Sequence, residues 1–108
     1  MEITVKETDI FAKWHRSLRD LTAKIAIARR IDRVAAGNFG DCEPVGEGIS
    51  ELRVDVGAGY RVYLVKHGKE VVILLCGGDK KSQAGDINKA KKMAAELLES
   101  RRHRRITK

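Results

Sequence analysis

Between Glu51 and Cys76 the chain reads "ELRVDVGAGYRVYLVKHGKEVVILLC", and this stretch limits the fold more than any other. Side chains alternate on a period of two. Leu52, Val54 and Val56 point one way, and Glu51, Arg53 and Asp55 the other. A "GAG" connection centred on Ala58 follows, with glycines free to adopt positive φ. The next segment sets Tyr60, Val62 and Leu64 against Arg61, Tyr63 and Val65. After the "KHGKE" turn, "VVILLC" is apolar throughout, the pattern of a central strand covered on both faces. Three hairpin-linked strands of this kind form a sheet that needs helices to bury it.

The flanking segments supply them. "MEITVKE" alternates loosely through Ile3 and Val5 and reads as a first strand. Thr8 or Asp9 can cap a helix whose apolar stripe is Phe11, Trp14 and Leu18. Asp20 can cap a second helix, with Leu21, Ile25, Ala28, Ile31 and Val34 or Ala35 as its stripe and Gly37 as its stop. The turn-rich "NFGDCEPVGEGIS" carries a short extended piece from Cys42 to Val45. After "GGDKKSQAGD" a third helix places Ile87, Ala90, Met93 or Ala94, and Leu97 inward, with Lys89, Lys91 and Lys92 in water.

The expected order is therefore β-α-α-β-β-β-α, an α+β fold in one domain spanning residues 1–108. The first strand lies beside "VVILLC", reached by the helical pair and the loop as a long crossover. The result is an N-terminal strand and αα-hairpin, an antiparallel meander in one mixed, curved sheet, and a C-terminal helix.

Lys and Arg number 22 against 15 Asp and Glu, a net charge of +7. That excess suits RNA, DNA, an acidic protein or an anionic membrane surface without choosing among them. Cys42 and Cys76 are too few and too widely spaced for a metal motif, and no disulfide is forced between them. Cys76 reads as a buried thiol, and the cysteine usage, with no signal peptide at the start, points to the reducing cytoplasm. The run from Val71 to Cys76 is too short to span a bilayer. His15, His67 and His103 lack ligand company, so no metal or cofactor is expected.

Arg61 and Tyr63 sit two apart on one strand face, with Arg53 across the hairpin. Such a cluster can clamp a phosphate and bring a tyrosine to a ribose or base. The competing arrangement is a sheet face packed under a helix or loop, with Arg61 paired to Glu51 or Asp55. Lys80 and Lys81, in the loop after the buried strand, can meet a phosphate or a charged transition state. The tail residues Arg101, Arg102, His103 and Arg104 can touch a phosphate backbone, solubilise a helix end or meet an acidic partner.

Three ordered elements, "GNFGD" with "VGEG", "ELR" with "GYRVY", and "LLCGGDKKSQ" with "DINKA", carry a resemblance to the RelE/ParE toxin superfamily. More narrowly they resemble its HigB-like group, often labelled putative addiction-module killer proteins. The likeness runs from "FAKWHRSLRD" to "DINKAKKMA". It implies a RelE-like fold and the toxin of a type II toxin–antitoxin pair, cytoplasmic, with a helix-turn-helix antitoxin that also binds operator DNA. It further implies ribosome-dependent cleavage of mRNA in which the ribose 2′-hydroxyl attacks, without a metal.

By motif, Arg61 would bind the scissile phosphate, and Lys80, with Lys81 beside it, would stabilise the transition state or leaving group. Arg53 would help to activate the 2′-hydroxyl. Where cleaving members carry a tyrosine beyond this loop, this chain has Asp86 and Ile87. Three readings stay open at that point: Tyr63 stacks on a base, Asp86 or His103 supplies the acid/base group, or the group is missing. Two other activities share the scaffold, namely gyrase inhibition of the ParE kind and a non-catalytic protein-binding module.

Overall fold

The computed structural model describes residues 2–106, with side chains through residue 97. Strand β1 is Thr4–Glu7, helix α1 Asp9–Ser17, helix α2 Leu21–Ala35 and strand β2 Cys42–Gly46. Strands β3 (Ile49–Val54), β4 (Tyr60–His67) and β5 (Val71–Asp79) follow, and helix α3 covers Gln83–Ile106. The sheet order is β1-β5-β4-β3-β2, with β1 parallel to β5 and every other pairing antiparallel. This is the expected mixed α+β sheet, its short extra piece lengthened into the edge strand β2. The middle strand is β4, whereas the more apolar β5 lies between it and β1.

The helix starts follow local chemistry. Thr8, not Asp9, caps α1, its Oγ1 accepting from Phe11 N at 3.0 Å and donating to Leu75 O at 2.7 Å. The second bond ties the cap to the sheet as well as to the helix. Asp20 caps α2 by accepting from Ala23 N at 3.0 Å.

The buried stripe of α2 departs from expectation. Ala23, Ile27 and Val34 are fully buried, while Leu21 is 66% exposed and Ile25 46%. The helix carries two apolar stripes, and Arg30 lies on the one that packs. Its guanidinium donates to Phe39 O (3.0 Å), Asp41 O (2.7 Å) and Arg53 O (2.5 Å), fastening that face to the chain beside β3. A charge on the inner stripe hides that stripe from periodicity. Leu97, expected to face inward on α3, is likewise partly exposed at 37%.

The sheet separates two cores. On the α1/α2 side Phe11, Ile27, Leu52, Val62, Leu64 and Leu74 pack together. On the α3 side Ile49, Tyr63, Leu75, Cys76, Ala90 and Ala94 do so. The register slips between Tyr63, opposite Cys76, and Leu64, opposite Leu74. This bulge turns Leu75 and Cys76 both toward α3. Ala90 and Ala94, one turn apart, are small enough to let that helix lie close.

Strand β5 runs on through Gly77, Gly78 and Asp79, so the two glycines belong to the sheet and not to the loop. Gly77 makes room for the Trp14 ring, which occupies the place a Cβ would take. Among the described residues, no helix is long and apolar enough to cross a membrane.

Candidate functional site

The polar groups singled out above gather on the α3 face of the sheet, where β3, β4 and the end of β5 meet the start of α3. The β3–β4 register sets Arg53 opposite Arg61 and Glu51 opposite Tyr63, with Val54 opposite Tyr60. The hairpin is thus centred on Gly57, one residue before Ala58, and Gly57 (φ 56°) and Gly59 (φ 78°) take the left-handed conformations it needs. In the β4–β5 register Arg61 faces Gly78.

At the centre stands Glu51, fully buried. Arg53 Nε approaches its Oε1 at 3.2 Å. On Oε2, Gln83 Nε2 donates at 2.9 Å and Arg61 Nε lies at 3.5 Å. A carboxylate taken out of water is expensive unless it is paired and hydrogen-bonded, and these three groups meet that requirement. The outer nitrogens of Arg53 reach Glu43 Oε2 at 2.7 Å and Asp41 Oδ1 at 3.5 Å. Its bonds to Glu43 and then Glu51 raise the Arg53 pKa above its already high value. Arg53 is therefore surrounded by carboxylates and offers little unmatched charge to a substrate.

Arg61 differs. Its side chain is 13% exposed, and its contact with Glu51 is an ion pair outside hydrogen-bond geometry. Its outer edge lies by the Gly59 turn, where a Cβ on that glycine would stand 3.9 Å from Arg61 Nη1 and 3.7 Å from Lys80 Cβ. The β3–β4 and β5–α3 turns thus bring Arg61 and the base of the exposed Lys80 side chain to one mouth. Lys81 is exposed next to it.

Tyr63 corrects that reading. It is fully buried in the α3-side core and has no ring face to give to a base. Its hydroxyl has no hydrogen-bond partner among the described residues. Burial first, and then the Glu51 charge, push its ionisation far above the ordinary tyrosine range.

Asp86 belongs to the start of α3. Ser82 Oγ donates to Asp86 Oδ2 at 2.5 Å, and Ser82 N donates to Asp79 Oδ1 at 3.1 Å, closing the turn ahead of the helix. The Asp86 carboxyl fills the space above Gly78 that a side chain there would take. The positions of Arg101, Arg102, His103 and Arg104 fall in α3, but their side chains lie outside the described residues.

Gln83 is the site residue that sequence reasoning passed over, whereas Glu51 entered it only as a partner for Arg61 on a packed face, the arrangement that the Glu51–Arg61 ion pair now matches. The available signal was the sharing of one strand face by Glu51, Arg53 and, across the hairpin, Arg61. Nothing local points to Gln83, whose role arises from the docking of α3. Among the described residues no group of three or more His, Cys, Asp or Glu is arranged to hold a metal ion. Cys76 is buried and Cys42 half-buried, both as free thiols. Burial pushes the Cys76 thiol up to about 11.

Comparison with known proteins gives matches of three kinds. The family model described as phage derived protein Gp49-like (DUF891) matches residues 14–102. An uncharacterized protein of Haemophilus influenzae is 52% identical over 97 residues, covering 90% of this chain and 98% of that protein. Among solved structures, a free-state mutant of the Escherichia coli toxin RelE superposes with a TM-score of 0.66 at 15% identity. That match covers 91% of this chain and 99% of the other, and it shows the RelE-like fold.

Proposed function

The chain belongs to the Gp49-like family (DUF891), a RelE-like toxin family, and on that footing we propose that it is a toxin that stops translation by cutting mRNA on the ribosome. The observation that carries this reading is that Arg61 Nη1 and the base of the Lys80 side chain both lie beside the Gly59 turn.

In the proposed reaction the ribose 2′-oxygen attacks the adjacent phosphorus, the P–O2′ bond forms and the bond to the 5′-oxygen breaks. The products are a 2′,3′-cyclic phosphate and a 5′-hydroxyl. Arg61 lies against the non-bridging oxygens, whose charge rises in the transition state, and Lys80 faces the leaving oxygen. Asp86, held by Ser82 at the start of α3, is the carboxylate we assign to take the 2′-hydroxyl proton, and Lys80 gives a proton to the departing 5′-oxygen. The partner is an antitoxin encoded in the neighbouring reading frame, with a helix-turn-helix domain that binds operator DNA. Ribosomes and mRNA place the action in the cytoplasm.

The test is induction of the chain without its antitoxin, followed by mapping of mRNA ends. Wild type gives new ends within translated messages, and Arg61→Ala lowers their yield by about 100-fold or more, the scale set by losing one preorganised charge donor. Growth arrest with intact messages and damaged gyrase–DNA complexes would refute the nuclease and favour the ParE-like activity.

A further inference from the structure

Glu51 is the one buried charged side chain among the described residues, and the mechanism above leaves it without a task. An ion pair in such a place adds little stability over a well-packed apolar side chain, so its contribution lies in geometry. That geometry is specific. Both arginines turn Nε, the inner nitrogen, toward Glu51: Arg53 hydrogen-bonds to it at 3.2 Å, and Arg61 stands at 3.5 Å as an ion pair. A guanidinium held by its inner nitrogen has its outer pair free for other partners. Arg53 uses that pair on Glu43 and Asp41, which fixes it as a brace. Arg61 has its Nη1 at the mouth shared with Lys80.

Two further contacts hold the carboxylate itself. Gln83, the first residue of α3, donates to Oε2 at 2.9 Å and so ties Glu51 to the helix that covers this face. Tyr63, opposite Glu51 in the register and fully buried, walls it from water.

We propose that Glu51 is a positioning residue for cleavage, whose buried carboxylate holds Arg61 by Nε so that the Nη edge faces the scissile phosphate. The proposal rests on the nuclease reading. It also recasts Arg53 as the brace that holds Glu51 rather than as a group acting on the 2′-hydroxyl. Glu51 touches no substrate, and its whole effect passes through Arg61.

The experiment uses the full chain, purified with its antitoxin and then freed from it. Cleavage of ribosome-bound mRNA is measured alongside thermal stability and the NMR signals of the arginine Nε–H groups. Glu51→Gln keeps the shape and removes the charge. Its kcat falls about 100-fold while KM changes less than about threefold, because the loss is felt as charge builds on the phosphate. In wild type the Nε–H signal of Arg53 is shifted and slow to exchange, that of Arg61 is shifted by the facing carboxylate, and in Glu51→Gln both revert toward free arginine.

The exchanged pair Glu51→Gln with Gln83→Glu restores a carboxylate–amide bond between the two positions. Its stability recovers, yet cleavage stays low because the charge has left Arg53 and Arg61. If the exchanged pair regains cleavage together with stability, or if Glu51→Gln cleaves like wild type, the proposal is overturned. Should Glu51→Gln fail to fold, Glu51→Asp keeps the charge and withdraws it by one methylene, and an unchanged kcat in that variant overturns the proposal equally. A wild type that cuts no mRNA defeats the nuclease reading alone. The Nε–H signals then decide on Glu51, and their persistence in Glu51→Gln rejects its hold on Arg61.

Discussion

Replacing Tyr63 by Phe separates a tyrosine that serves RNA from one that serves the core. The ring is fully buried among Ile49, Leu75 and Cys76, and its hydroxyl has no hydrogen-bond partner among the described residues. In the unfolded chain that hydroxyl is hydrated, so folding forfeits about 1–3 kcal/mol for it. Tyr63→Phe removes the penalty and leaves the ring in place. Against this stands the void left by one oxygen, below the roughly 1 kcal/mol of a methyl-sized hole.

The net expectation is a gain of about 0–2 kcal/mol. At roughly 4–8 °C per kcal/mol for a domain near this size, the melting temperature stays level or rises by up to about 15 °C. The pH dependence has a definite sign. Burial and Glu51 raise the Tyr63 pKa in the folded state, so its contribution is complete below the unfolded value near pH 10 and is lost as pH rises beyond it. The advantage of Tyr63→Phe over wild type should therefore widen above about pH 10. Urea unfolding at neutral and alkaline pH, with mRNA cleavage measured in parallel, decides the matter. A loss of more than about 1 kcal/mol at pH 7 would mean that the hydroxyl is bonded in solution, to Glu51 first of all. A loss of cleavage at unchanged stability would return Tyr63 to the RNA.

Glycine-to-alanine changes should give opposite signs at two positions. Gly77→Ala places a methyl against Trp14, 2.6 Å from Cη2 and nearer still to two other ring carbons. It should cost about 1–3 kcal/mol by overpacking. Gly85→Ala meets nothing within 4 Å in the first turn of α3 and should raise stability by up to about 1 kcal/mol; urea titration of both variants checks the contrast. On α2, Ile27→Ala should lose about 2–5 kcal/mol, whereas Leu21→Ser should stay within about 0.5 kcal/mol. Equal losses in thermal unfolding would show that the wrong stripe has been called buried.

The sequence was most legible where a signal is local and repeats. The alternation from Glu51 onward specified β3 and β4 and which of their residues share a face, whereas β5 was marked by its apolar run and its bulge by nothing local. Asp20, and the pair Thr8 or Asp9, marked helix starts because a cap acts over three residues. The helical pair and loop after "MEITVKE" read as a long crossover that sets the first strand beside "VVILLC", and the structure makes that pairing parallel.

What sequence left undecided depends on contacts distant along the chain. Period alone cannot choose between two apolar stripes on α2. The choice falls to Arg30, which finds three carbonyls only after the loop beyond α2 has folded back. Tyr63 shares a face with Arg61, and sequence cannot say where α3 ends its cover of that face. The structure places the boundary between them, with Tyr63 beneath the helix and Arg61 at its rim. Glu51 was legible only as one of two candidate partners for Arg61. The desolvation of its carboxylate, and its hold on two arginines and Gln83, exist only once β3, β4 and α3 have come together.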